Sequence, residues 1–253
     1  AGSFDSSFVM VADLYAGTSS QGGRGTPNFG TSNAWVEGVD LNTYVHETYI
    51  EARLGKLRAL AGHTWLRWGP GREGTLALSD AAPALDLVRG ELTAFQKWQL
   101  GWFVALLDPG PQSYLAGHRL EWSPRGNFTV GVTELARFDG TSQAILYFTP
   151  MVPYPLWEKR PKSAGTLPGD TTGVALVKNN VLMSWDIAWS PHDRWRLWGE
   201  FLLDDISFSK DYKPDMIGYQ AGVEHRRSMR SGRDAVGVSV EYSRVNNFTY
   251  SVW

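Results

Sequence analysis

The 253-residue sequence carries 24 Lys and Arg against 26 Asp and Glu, a net charge of −2, which excludes the strongly basic surface of a general nucleic-acid binder. Cysteine is absent, so a disulfide framework and any thiolate site are excluded, while the cell envelope and the cytosol both stay open. No apolar run is long enough for a transmembrane helix, and Ala1–Asp5 carries neither a basic nor an apolar leader region, as expected of a mature secreted chain or of a truncated one. Against this plain balance, 12 Trp, 10 Tyr and 11 Phe in a chain of mean hydropathy −0.26 suit a membrane barrel with aromatic girdles and a polar interior. A Trp-rich carbohydrate-binding sandwich has the same composition.

Taken in order, residues 4–16 alternate, with Phe8, Met10, Ala12 and Leu14 against Ser7, Val9, Val11 and Asp13, and predict a first strand. Thr18–Ser32 is a Gly/Ser/Thr loop without periodicity. Ala34–Leu41 reads as a short strand and Tyr44–Leu54 as a longer one, turned at Gly55-Lys56 into Leu57–Leu66. The stretch His63–Arg89 then breaks the pattern. Gly69-Pro70-Gly71 cannot continue a ladder, because Pro lacks an N–H and Gly admits positive φ.

Strands are predicted again over Leu85–Ala94 and Trp98–Asp108, then over Tyr114–Trp122, with Ser123–Gly126 as a turn into Asn127–Arg137. Residues 139–179 are a second long irregular region rich in Pro, Gly and aromatics, and no segment reads as a helix. Val181–Ser190, Arg194–Asp205, Met216–His225 and Ala235–Val245 complete about 12 strands.

The two faces of these last strands decide the class. One carries residues such as Trp185, Ile187, Trp189, Leu197, Phe201, Tyr219 and Val238, while the other carries Gly, Ser and isolated Asp, Glu and Arg. Water-facing strands of a soluble sandwich favour Lys, Thr and Glu, so the second face suits a crowded wet interior. Strands of about 10 residues match a membrane crossing, and closing the sheet removes its edges. The expectation is all-β: one transmembrane antiparallel β-barrel domain over residues 1–253. Set beside the usual even-numbered barrels, and with terminal Trp253 off the aromatic face, the chain reads as part of a longer barrel.

Trp65-Leu66-Arg67-Trp68-Gly69-Pro70-Gly71, followed by Leu76–Pro83, resembles a signature of the Wzi family of capsule-assembly outer-membrane proteins. Tyr114–Glu121, Pro153–Glu158, Glu200–Asp205, Glu241–Val245 and Thr249-Tyr250 resemble further segments of that family, in order, from about Tyr44 onward. The resemblance implies an outer-membrane barrel acting as a surface lectin that anchors capsular or related polysaccharide. Family members are generally longer.

Several side chains suit saccharide binding, each with a plainer role beside it. Arg67 and Trp68 offer a guanidinium fork and a stacking face, or else a strand-ending turn with Trp68 in a girdle and Arg67 paired inside. Arg119 and Glu121, with Glu200, Asp204, Glu224 and Glu241, read as lumen-facing charges, either setting selectivity or bracing the interior through salt bridges. Tyr154, Trp157 and Glu158 lie in a Pro-rich loop where either binding or packing is expected.

Enzyme signatures are missing. Neither Gly-x-Ser-x-Gly nor His-Glu-x-x-His occurs, the 5 His are scattered, and Asp204 and Asp205 point to opposite faces of a strand. The expected partners are surface polysaccharide and outer-membrane lipid, with other envelope proteins left open and the oligomeric state unset. No nucleic acid, cofactor or metal is expected, and a porin-like channel or structural barrel subunit is the alternative function.

Overall fold

The computed structural model describes residues 6–18, 41–108, 113–139, 144–149, 153–154, 180–205, 216–228, 235–247 and 249. Eleven strands form one sheet in strict chain order: β1 (Ser6–Thr18), β2 (Leu41–Leu54), β3 (Leu57–Thr64), β4 (Leu85–Ala94), β5 (Trp98–Asp108), β6 (Ser113–Arg125), β7 (Phe128–Asp139), β8 (Asn180–His192), β9 (Trp195–Asp205), β10 (Met216–Ser228) and β11 (Ala235–Val245). Every neighbouring pair is antiparallel. Among the described residues no pairing joins β1 to β11.

Strands β4, β5 and β11 begin and end where the alternation predicts. The short strand expected over Ala34–Leu41 lies outside the described residues except for Leu41, which opens β2, and eleven strands are present among the described residues. Two expectations change. Ser123–Gly126 is not wholly a turn: β6 runs to Arg125, and Pro124 is accommodated where the register with β7 shifts between Trp122 and Arg125. A one-turn helix, α1 (Ala144–Tyr147), occupies part of the segment expected to be irregular.

Strand ends differ in kind. β2–β3, β4–β5, β6–β7 and β8–β9 are joined by two or three residues, whereas every connection longer than six residues lies at the other end of the sheet. Gly55, with φ of 61°, makes the first short turn in the left-handed region. Four aromatics, Trp98, Trp122, Trp189 and Trp195, project from the outer face near the short turns, and Trp98 and Trp122 stack with centroids 5.8 Å apart.

The sheet is curled. Phe103 on β5 and Glu241 on β11 lie six strands apart, about 29 Å along a flat sheet. Yet Trp68 packs on Phe103, and the backbone N–H of Arg72 reaches Glu241. Four residues span at most about 14 Å, so the sheet must bend round to bring the two strands together. This bend creates an inner and an outer face with opposite chemistry.

The outer face exposes Phe8, Met10, Ile50, Leu54, Val88, Leu120, Ile187, Leu197, Phe201, Val238 and Val240. Among the buried residues are Glu51, Glu91, Arg119, Asp186, Glu200 and Glu224, all on the inner face. A water-soluble protein shows the reverse arrangement.

Candidate functional site

The segment between β3 and β4, residues 65–84, folds into the curl. It brings its own apolar residues: Leu66, Trp68 and Leu78 form the inner core cluster with Leu87, Phe103, Ala105 and Leu135. The Trp68 N–H donates to the Leu78 carbonyl at 2.9 Å, closing the segment as a small bridge. The indole meets Phe103 edge-on at 5.1 Å and lies over Gly101 and Gly117, where a Cβ at Gly117 would fall 2.8 Å from the ring. The alternative that Trp68 is a girdle residue is therefore overturned, since it is 5% exposed and faces inward.

Within the segment, Arg67 acts as a clasp. Its guanidinium donates to both Asp80 oxygens at 3.0 and 3.2 Å, to the Arg72 carbonyl at 2.9 Å and to the Gly71 carbonyl. Gly71 admits no side chain, because a Cβ there would lie 1.9 Å from the Gly74 carbonyl oxygen.

Distant strands hold the segment by its backbone. Glu200 on β9 accepts the N–H groups of Leu76 and Ala77, both at 2.9 Å. Glu241 on β11 accepts from Arg72 N at 2.7 Å, from Glu73 N at 3.3 Å and from Trp198 Nε1 at 2.8 Å. Glu224 on β10 accepts from the Arg72 guanidinium at 2.7 Å. In return Arg196 donates to the Pro70 carbonyl and Gln220 to the Gly74 carbonyl. Charge-assisted bonds of this kind are the strong ones, and they satisfy N–H groups that would otherwise be buried alone.

Two charge networks flank the segment. Arg119 on β6 donates to Thr133 at 3.0 Å, to Glu121 at 3.2 Å and to both oxygens of Asp186 on β8. The guanidinium lies across Gly131, where a Cβ would collide with it. On β2–β4, Glu51 and Glu91 are bridged by Arg58 at 2.8 and 2.9 Å, with Arg53 and Arg89 at the ends of the row.

Between the segment and the Arg119 network lies a polar pocket of about 180 Å³. Arg67, Trp68, Arg119 and Glu121 all line it, together with Arg89, Glu91 and Gln99. Four of the seven saccharide-binding residues expected from the sequence are thus brought to one place. Its lining of guanidinium, carboxylate and amide groups beside one indole can exchange hydrogen bonds with a polyol, and no group of His, Asp and Glu suited to a metal occurs among the described residues.

The other three do not meet there. Tyr154 sits on the opposite face of the sheet, fully buried in a cluster with Ala116, Ala136, Phe138 and Tyr147. Its hydroxyl donates to the Tyr147 carbonyl at 2.9 Å and its N–H to Glu134 at 3.0 Å; burial, then the Glu134 carboxylate, pushes the phenol above its ordinary pKa. Trp157 and Glu158 lie outside the described residues.

Residues 144–149 and 153–154 thus strap the outer face of β5–β8. Beneath them His118 Nε2 pairs with Glu134 at 2.8 Å. Sequence reasoning missed Glu134 and the anchoring role of Glu200, Glu224 and Glu241. Strand register alone sets His118 directly opposite Glu134, and the three anchors serve a loop more than a hundred residues away.

Fold and site together define a curled, barrel-type antiparallel sheet with a charged interior and a loop inserted into it. The chain shares its fold with Wzi of Escherichia coli, an outer membrane protein involved in group 1 capsule assembly and a carbohydrate-binding β-barrel: TM-score 0.57, 16% identity, covering 86% of this chain and 46% of that one. The family resemblance read from the motifs is borne out at the level of the fold. The chain spans about half the length of the structure it matches. Neither a family model nor a curated protein matches the sequence.

Proposed function

We propose that this protein is a non-enzymatic bacterial outer-membrane β-barrel that binds and anchors capsular or other surface polysaccharide. Its strands cross the bilayer with the aromatic and aliphatic outer face in lipid. Such a face in water would be a very large apolar patch, whereas hydrocarbon accepts it and requires the charged groups to turn inward, as they do here. Trp98, Trp122, Trp189 and Trp195 then form part of an interfacial girdle at the short-turn, periplasmic end.

The single observation that carries the polysaccharide reading is the inserted 65–84 segment. It fixes Arg67 and Trp68 beside Arg119 and Glu121 at one pocket, in a fold shared with a barrel that binds carbohydrate. The forked guanidinium donors are groups that recognise saccharide hydroxyls, and the indole supplies an apolar wall beside them. Tyr154 serves to hold the strap, and Trp157 and Glu158, three and four residues further along, are the remaining contacts in this reading.

Binding of fluorescently labelled capsular polysaccharide to the purified, detergent-held protein tests the proposal. Saturable binding that weakens at least tenfold in the Arg119→Ala variant supports it. Absence of binding by the intact protein, or binding untouched by substitution of Arg67, Arg119 and Trp157 together, refutes it. The alternative of a channel or structural barrel draws on the Arg53–Glu51–Arg58–Glu91–Arg89 row, an inner-face charge ladder of the kind that lines pores.

A further inference from the structure

The four short turns share a feature besides their length. Each holds one strongly basic residue, within it or at its edge: Lys56, Lys97, Arg125 and Arg194. The one acidic residue in these turns is Asp193. All four basic residues are exposed, and none makes an ion pair among the described residues. At the other end of the sheet Asp86, Asp108, Asp139 and Asp205 stand at or next to strand ends, alongside Arg137 and Arg244. The two ends therefore differ in charge.

The basic rim is knitted together by its backbone. The Lys56 carbonyl accepts from Thr93 N–H at 3.0 Å, Lys97 from Ser123 at 2.8 Å, Asn127 from Ser190 at 2.8 Å and Arg194 from Arg226 at 2.8 Å. Each short turn is thus bonded to the strand beyond it, which holds the cations in a fixed order. Trp98 follows Lys97 directly, and Trp122 stands three residues before Arg125. These two indoles are exposed on the outer face, opposite each other in the β5–β6 ladder, and stacked. The acidic residues nearest the two turns, Glu91 and Glu121, face inward, where Arg58, Arg89 and Arg119 hold them.

We infer that Lys97 and Arg125 hold the headgroup phosphate of an anionic phospholipid, phosphatidylglycerol, in the periplasmic leaflet, with Trp98 and Trp122 beside it at headgroup depth. The inference rests on the membrane reading above, in which the short turns face the periplasm. Amphipathic indoles settle at the boundary between hydrocarbon and headgroups, so the adjoining turn residues lie at the level of the phosphates. The two turns are centred two strands apart, about 10 Å, and long basic side chains reach one headgroup from both sides. Each Lys or Arg at the surface favours an anionic headgroup about fivefold, and a net-neutral one gains little. A soluble polyanion touching the same turns leaves both indoles unused.

The whole chain in detergent is mixed with micelles doped equally with phosphatidylglycerol and phosphatidylethanolamine, and retained lipid is counted by native mass spectrometry. Phosphatidylglycerol is expected in clear excess, and added salt is expected to remove that excess. Lys97→Gln combined with Arg125→Gln is expected to weaken its retention about twentyfold, the product of two single effects, without changing phosphatidylethanolamine. Lys97→Arg combined with Arg125→Lys, which keeps both charges, is expected to keep the excess.

Equal retention of the two lipids, or an excess untouched by the double Gln substitution, would overturn the inference. So would stronger retention of lipopolysaccharide that the same substitutions abolish, since it puts these turns in the opposite leaflet. Binding of soluble polyglutamate without retained phosphatidylglycerol would assign the rim to an acidic soluble partner instead. Should the double Gln variant fail to fold, the wild-type lipid preference and its salt dependence decide. A protein that stays monodisperse without detergent and does not enter vesicles of the two phospholipids brings down the membrane reading and this site together. Insertion without a preference for phosphatidylglycerol removes the site alone.

Discussion

The 65–84 segment inside the curl and the strap of residues 144–149 and 153–154 outside it both cover buried polar groups, but they are held by different forces. The inner segment is fastened mainly through its backbone: Glu200 and Glu241 accept its N–H groups, Arg196 and Gln220 donate back to its carbonyls, and Glu224 adds an ion pair to the Arg72 side chain. The outer strap is fastened by rings. Tyr147 stacks on Phe138 at 4.3 Å, Tyr154 leans on His118 at 4.3 Å, and one carboxylate, Glu134, joins the strap backbone to the sheet. Charge-assisted bonds to backbone are directional and fix one position, whereas ring packing against a smooth face tolerates small shifts. The inner segment is therefore built as a permanent filling of the interior, and the outer one as a cover over a polar pair that would otherwise stand exposed on the outer face.

The contrast can be broken most strongly at Trp68. Trp68→Ala empties the centre of the inner cluster and is expected to cost about 4 kcal/mol in denaturant-induced unfolding of the detergent-held protein. Glu200→Leu comes next. It removes the carboxylate that accepts from the Leu76 and Ala77 N–H groups, an expected loss of roughly 3 kcal/mol, and it frees one edge of the segment from β9. On the outer face Tyr154→Phe removes only the hydroxyl bond to Tyr147, while the Glu134 contact to the backbone N–H survives. About 1 kcal/mol is expected there, with no change in polysaccharide binding. Equal losses for Glu200→Leu and Tyr154→Phe would erase the distinction between the two segments.

The sheet itself was legible because strands that separate lipid-like from polar surroundings alternate strictly. Leu85–Ala94, Trp98–Asp108 and Ala235–Val245 carry that alternation from end to end, and their bounds followed from it. The direction of the two faces was legible too, since Gly, Ser and lone carboxylates opposite aromatics have no soluble counterpart. What each carboxylate holds was not legible. Glu200 and Glu241 accept from backbone N–H groups, which every residue possesses, so their partners leave no mark in side-chain identity.

Trp68 misled one reading for a related reason. A Trp at the end of a strand suits a girdle as well as a core, and only the turn at Gly69–Gly71 sends it inward. The strap was hidden because it alternates with nothing; its place over β5–β8 depends on the cross-strand match of His118 with Glu134 and of Ala116 with Ala136.

Single-channel recording in planar bilayers is the decisive measurement for the proposed membrane barrel with the 65–84 segment filling its interior. Silence is expected from the inserted wild-type protein, and intermittent or steady conductance from inserted Glu200→Leu, in which the segment has lost its hold on β9. A large, steady conductance from the wild type would contradict it, and would favour an open pore over a filled, polysaccharide-binding barrel.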